Sequence, residues 1–195
     1  LYEVAALRGD EEEMVRQIET AYRLDPLRPH YIWLMGGAYL YTGRGQEALE
    51  FWRKTEQLAP ARTCRGMTEY YLTKGDIEKA KEFHAKFEKL EPTHPWAMWM
   101  SGVLAAYEGD GEKARLTIKK IEEAKMGPIA FNFIAYVYHA LGDLDSYFEY
   151  MNRVLETHAA IPMLVMHSPL LAKARTDPRY LELVEKLRKR LGLTK

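Results

Sequence analysis

Five glycines divide this 195-residue chain at nearly equal steps. Gly9, Gly43, Gly75, Gly109 and Gly142 follow one another at intervals of 34, 32, 34 and 33 residues. Such a period marks a repeat architecture, because a supersecondary unit of this size cannot bury its apolar face alone and stacks on the next. On either side of each glycine the apolar residues recur at helical spacing, so the unit reads as helix, glycine turn, helix. Asp10, Asp76, Asp110 and Asp143 follow their glycines directly. There a short carboxylate can accept from the free amides of the second helix and sits well in its dipole. Asp10 and Glu13 have the spacing of a capping box. Pro26, Pro60 and Pro92, separated by 34 and 32 residues, close three of the units.

Gly36 and Gly37 fall inside a helical segment, where each glycine costs about 1 kcal/mol relative to alanine. Gly36, Gly102 and Ala135 recur at the same place in successive first helices, which predicts a close approach of paired helices that offsets the cost. The facing small residues are Ala48, Ala80 and Ala114, with Trp52, His84 and Ile118 four positions further on. On this reading position 36 tolerates alanine and rejects leucine. Two departures stand out: Thr68 takes the small first-helix position of the third unit, and Tyr147 the packing alanine of the fifth.

The pattern I-x2-M-G-x2-Y at Ile32, Met35, Gly36 and Tyr39, followed by Ala48, Trp52 and Pro60, resembles the tetratricopeptide repeat. The resemblance covers most of residues 1–157. It implies an all-α fold: a right-handed helix-turn-helix repeat solenoid, a superhelix of about five pairs, the first truncated at Leu1. The chain is therefore expected to be part of something longer. Residues 158–195 break the period and are expected to form a connector, with Pro162 and Pro169, and C-terminal capping helices. Asp177 and Pro178 open the last helix, Leu181, Val184, Leu187 and Leu191 form its apolar stripe, and Gly192 ends it. DPRY, the helix after it and LGL, with ALGDLDSYFEYM upstream, resemble the end of tetratricopeptide modules fused behind prokaryotic signalling domains. Those include winged-helix regulators, nucleotide cyclases and protein kinases.

The 28 basic residues balance 28 acidic ones, so no whole-molecule field favours nucleic acid or an anionic membrane. The lone Cys64 fits a reducing, cytoplasmic setting. The apolar stretches fall short of the roughly 20 residues that span a bilayer. The six histidines contain no H-E-x-x-H and no helical i, i+4 pair, and neither a phosphate-binding loop nor a nucleophile elbow occurs. No metal, cofactor or catalytic residue is expected, and the chain is not read as an enzyme. The basic run KLRKR, residues 186–190, reads as a solvated face, with Leu187 turned to the core.

First-helix residues not used in packing line the inner face of a stacked array, and positions i, i+4, i+7 and i+8 share that face. This selects Trp33 and Tyr41, then Arg65 and Glu69, then Trp99 and Tyr107, then Asn132, Tyr136 and His139, with Arg62 and Trp96 one turn earlier. An aromatic surface with a basic spot results. The expected function is a protein-interaction or regulatory scaffold that holds a peptide or partner segment against these residues. Self-association of two copies is the structural alternative, and burial of the rings between neighbouring repeats stays open.

Overall fold

In the computed structural model, which describes residues 2–157 and 167–193, the five turn glycines adopt φ between +72° and +83°. Glycine enters this left-handed region without the steric penalty a side chain brings. The described residues contain twelve α-helices and no strand. The helices are α1 (Tyr2–Arg8), α2 (Glu11–Leu24), α3 (Pro29–Tyr41), α4 (Gly45–Thr55), α5 (Pro60–Thr73) and α6 (Ile77–Leu90). They continue as α7 (Pro95–Tyr107), α8 (Gly111–Glu123), α9 (Ile129–Ala140), α10 (Leu144–Glu156), α11 (Ala172–Arg175) and α12 (Pro178–Arg190).

The carboxylates of Asp10, Asp76, Asp110 and Asp143 accept from the backbone N–H three residues on, as does a cap. In the second unit Arg44 stands at that place and instead pairs with Glu47 through bonds of 2.7 and 2.6 Å. The prolines are less regular than their spacing suggests. Pro60 opens α5, whereas Pro26 and Pro92 precede α3 and α7, which Pro29 and Pro95 open.

Helices α1–α6 with residues 167–170 form one compact unit, and α7–α12 belong to a second. In the first unit α1 packs on α2, α3 on α4 and α5 on α6, while α2 and α4 also pack on the first helix of the following pair. The first helices α3 and α5 touch each other. The second unit repeats this with α7 on α8, α9 on α10, α8 on α9 and α7 on α9, and α12 packs on α10.

Gly36 owes its place to Trp52, which is 1% exposed. A Cβ at Gly36 would overlap the Trp52 indole, and so would a Cβ at Gly66 of α5. The ring is held from both sides by glycines of consecutive first helices. The expectation that alanine is tolerated at position 36 is therefore wrong: the facing group is the Trp52 ring, and Ala48 is not what meets it. In the third repeat Gly66 makes the close approach, and buried Thr68 turns its hydroxyl to the Cys64 carbonyl at 2.9 Å. Gly102 of α7 faces Thr117, whose methyl would lie 2.8 Å from an added Cβ.

The last helix is rotated from its predicted stripe. Leu183 and Leu187 are buried, whereas Leu181 is 71% and Leu191 50% exposed. Leu181 stands two residues, roughly 200° of helix, from Leu183, so both cannot face α10. Asp177 caps this helix through the Arg179 amide, and Arg179 reaches Asp145 of α10 at 2.7 Å. Leu1 and residues 158–166 of the predicted connector, with His158 and Pro162, lie outside the described residues.

Candidate interaction surface

Helices α3, α7 and α9 contain no Asp, Glu, Lys or Arg on any face. The second helices α2, α4, α6, α8 and α10 carry charges on their outer sides and bury one apolar stripe. A helix apolar all round is covered on every side or is used to cover something else.

In the first unit, four predicted residues form one chain across α3 and α5. The Arg65 guanidinium lies over the Trp33 ring, 4.3 Å from its centroid. Its Nε is 3.6 Å from Glu69 Oε1. The Tyr41 hydroxyl donates to Glu69 Oε2 at 2.6 Å. Early residues of the two helices meet early ones and late meet late, so α3 and α5 run in the same direction. Trp33, Tyr41 and Glu69 are buried, and the Arg65 side chain is 16% exposed. Burial pushes the Glu69 carboxyl up, against the opposing pull of Arg65 and the Tyr41 hydrogen bond. Arg65 remains a cation, since guanidinium does not deprotonate in proteins. A desolvated cation over an indole contributes about 2 kcal/mol, so this chain ties consecutive repeats together.

One turn before Trp33, His30 stands 5.9 Å from the Trp33 ring. Burial and the charges of Arg62, Arg28 and Arg65 hold its pKa below the usual histidine value, with Glu3 opposing. Arg62 lies one turn before Arg65 and is half-buried. His30 and Arg28 were not selected from sequence; their spacing from Trp33 and Pro29 could have shown them.

In the second unit, Trp99 of α7 is the centre of an aromatic tier. Phe133 of α9 stacks on it at 5.8 Å with an interplanar angle of 11°, Tyr136 at 5.4 Å and 29°, and Trp96 meets it edge-on at 6.1 Å. Trp96, Trp99 and Tyr136 are buried, while Phe133 and Tyr107 are half-buried. Phe133 was missed because the inner-face register was counted from Asn132; its position three before Tyr136 was the available signal. Asn132 is 1% exposed. His139 lies against Tyr147 of α10, ring to ring at 5.4 Å, and burial followed by Lys173 and Arg175 pulls its pKa down to about 4.

The KLRKR run helps to dock α12. Lys186 donates to Asn152 at 2.8 Å, Arg190 to the Leu155 carbonyl at 3.3 Å, and Leu187 is buried. These two cations, with Asn152, Leu155 and Glu156, line a cleft of about 300 Å³. Among the described residues no group of three His, Cys, Asp or Glu is placed to hold a metal ion, and no helix is long and apolar enough to cross a membrane.

The structure is similar to that of a thermophilic tetratricopeptide-repeat protein of Thermus thermophilus. The TM-score is 0.59 at 20% identity, over 87% of this chain and 98% of that one. It is also similar to PilW, a widely conserved type IV pilus biogenesis factor, with a TM-score of 0.51 at 17% identity, over 99% of this chain and 92% of that one. Likeness at these identities establishes the fold, an all-α tetratricopeptide-type repeat. No protein-family model and no curated protein matches the sequence.

Proposed function

We propose that this chain is a non-catalytic protein-interaction module of a larger cytoplasmic signalling or regulatory protein, and that it holds a peptide or partner segment on the inner faces of its first helices. The fold is of a kind suited to scaffolding. The observation that carries the reading is the absence of charge on α7 and α9 combined with a half-buried ring, Phe133, stacked flat on Trp99. Surface-facing helix positions are ordinarily polar, and a rigid aromatic plate that keeps one side accessible loses little entropy when a partner covers it. Trp99 and Tyr136 are largely spent on internal packing. Their role is to hold Phe133 in place, and the partner's apolar side chains meet Phe133 and Tyr107.

Site-specific photo-crosslinking tests this. A benzophenone side chain at position 133 should trap a partner polypeptide, and one at Leu116, an exposed residue of α8, should not. Traps at position 116 alone would refute the assignment. Traps joining two copies of this chain would replace it by self-association.

A further inference from the structure

Resting on that interaction reading, we propose that the α3–α5 face of the first unit receives an acidic segment of the partner protein, with a side-chain carboxylate seated on Arg62 and flanked by Arg28 and His30. Arg62 is half-buried and makes no hydrogen bond or ion pair with any described residue. Three arginines elsewhere in the protein are held by acids of their own: Arg16 by Glu13, Arg44 by Glu47, and Arg179 by Asp177 and Asp145. Arg65 is occupied in the same way, since Glu69 and the Trp33 ring take its guanidinium. Of the two arginines of α5, Arg62 is thus the one open to an outside anion, and Arg65 is not.

The helix geometry gathers further positive charge at the same level. Because α3 and α5 run in the same direction and Arg65 meets Trp33, the residues one turn earlier, Arg62 and His30, fall at the same level, and Arg62 is the strongest of the charges that act on His30. Arg28 stands at the N-cap of α3, over the Tyr31 ring at 5.1 Å. Neither α3 nor α5 has an acidic residue in its first turn or a side-chain hydrogen bond capping its start. Both helices therefore bring the positive end of their dipoles beside these side chains with no acid of their own to offset it. Glu3 is the acid that acts on His30, and it offsets only part of this charge. The donor fork of Arg62 is unused among the described residues, and a planar carboxylate matches it. Half-buried Tyr31 offers the apolar ground beside these charges on which the rest of an acidic peptide would lie.

The test uses the whole chain and two fluorescein-labelled octapeptides, acetylated and amidated, one alternating Glu with Leu and the other Gln with Leu. Fluorescence anisotropy should show the Glu peptide binding about tenfold more tightly or better, the difference expected of one charge-assisted anchor. Arg62→Gln should remove that preference, and its melting temperature reports whether it is folded. Arg62→Lys should restore part of it. Equal binding of the two peptides, an unchanged preference in folded Arg62→Gln, or no binding of either peptide would overturn the acidic seat. Displacement of the Glu peptide by an equal concentration of inorganic phosphate would overturn the peptide as its occupant. Crosslinking at position 133 reads out the interaction surface independently, so either conclusion can fail without the other.

Discussion

Replacing Gly36 by alanine adds one methyl group, and that methyl would occupy space now filled by the Trp52 indole. On helix propensity alone the change stabilises by about 1 kcal/mol. Against it stands overpacking, which typically costs about 1 to 3 kcal/mol. The upper part of that range applies here, because Gly66 closes the other side of the ring and Trp52 cannot move away from α3 without striking α5. The expected net loss is about 1 to 2 kcal/mol, read as a shift of the urea midpoint followed by far-ultraviolet circular dichroism. A double-mutant cycle isolates the cause. In a Trp52→Leu background, itself destabilised, Gly36→Ala should become neutral or stabilising, since the smaller side chain frees the space. If Gly36→Ala stabilises the parent, or costs as much without the indole as with it, the account of the paired glycines is wrong.

Two further substitutions probe the buried polar groups, beside the Arg62 and crosslinking experiments above. Arg65→Ala leaves the Glu69 carboxylate buried with only Tyr41 as partner, and breaking a buried pair costs about 3 to 5 kcal/mol. Adding Glu69→Gln should recover a clear part of that loss in the same urea titration; no recovery would mean that the ion pair is not the cause. The folded-state pKa of His139, near 4, lies below its unfolded value of about 6.5, so the unfolded chain binds a proton that the folded one refuses. The second unit should lose stability as pH falls from 6.5 towards 4 and level off below, by about 3 kcal/mol at most. His139→Gln should flatten that slope, and an unchanged slope would assign the pH dependence to other groups.

The repeat was legible because its markers are single-residue requirements. A left-handed turn needs glycine, and a helix start accepts a carboxylate one residue later, so Gly75–Asp76 and Gly109–Asp110 announce their turns whatever surrounds them. Helical spacing combined with the period also put Trp33 and Tyr41 on the same face as Arg65 and Glu69, which indeed meet. What spacing could not show is how those groups satisfy one another. Arg65 read as a basic spot open to a ligand, yet its charge is taken up by Glu69 four residues on and by a ring on the neighbouring helix. The rotation of α12 was hidden for a similar reason: Leu181 and Leu183 are equally apolar, and only the shape of the α10 surface selects Leu183. Trp52 was marked as a bulky residue near Ala48. That a second glycine thirty residues after Gly36 would grip its other face depends on how successive repeats stack, which one repeat's pattern does not contain.

If the uncharged inner face of α7 and α9 binds a partner, a charge placed on that face tests it most directly. Phe133 is half-buried, so Phe133→Glu can be accommodated with a modest loss of stability, and Leu116→Glu on exposed α8 provides the matched control. Isothermal titration with the purified partner identified by crosslinking should show Phe133→Glu weakening binding more than about tenfold, as truncation or charging of an interface anchor does. Leu116→Glu should bind as the parent does, with both variants retaining its helix content. Equal affinities for parent and a folded Phe133→Glu variant would contradict the claim.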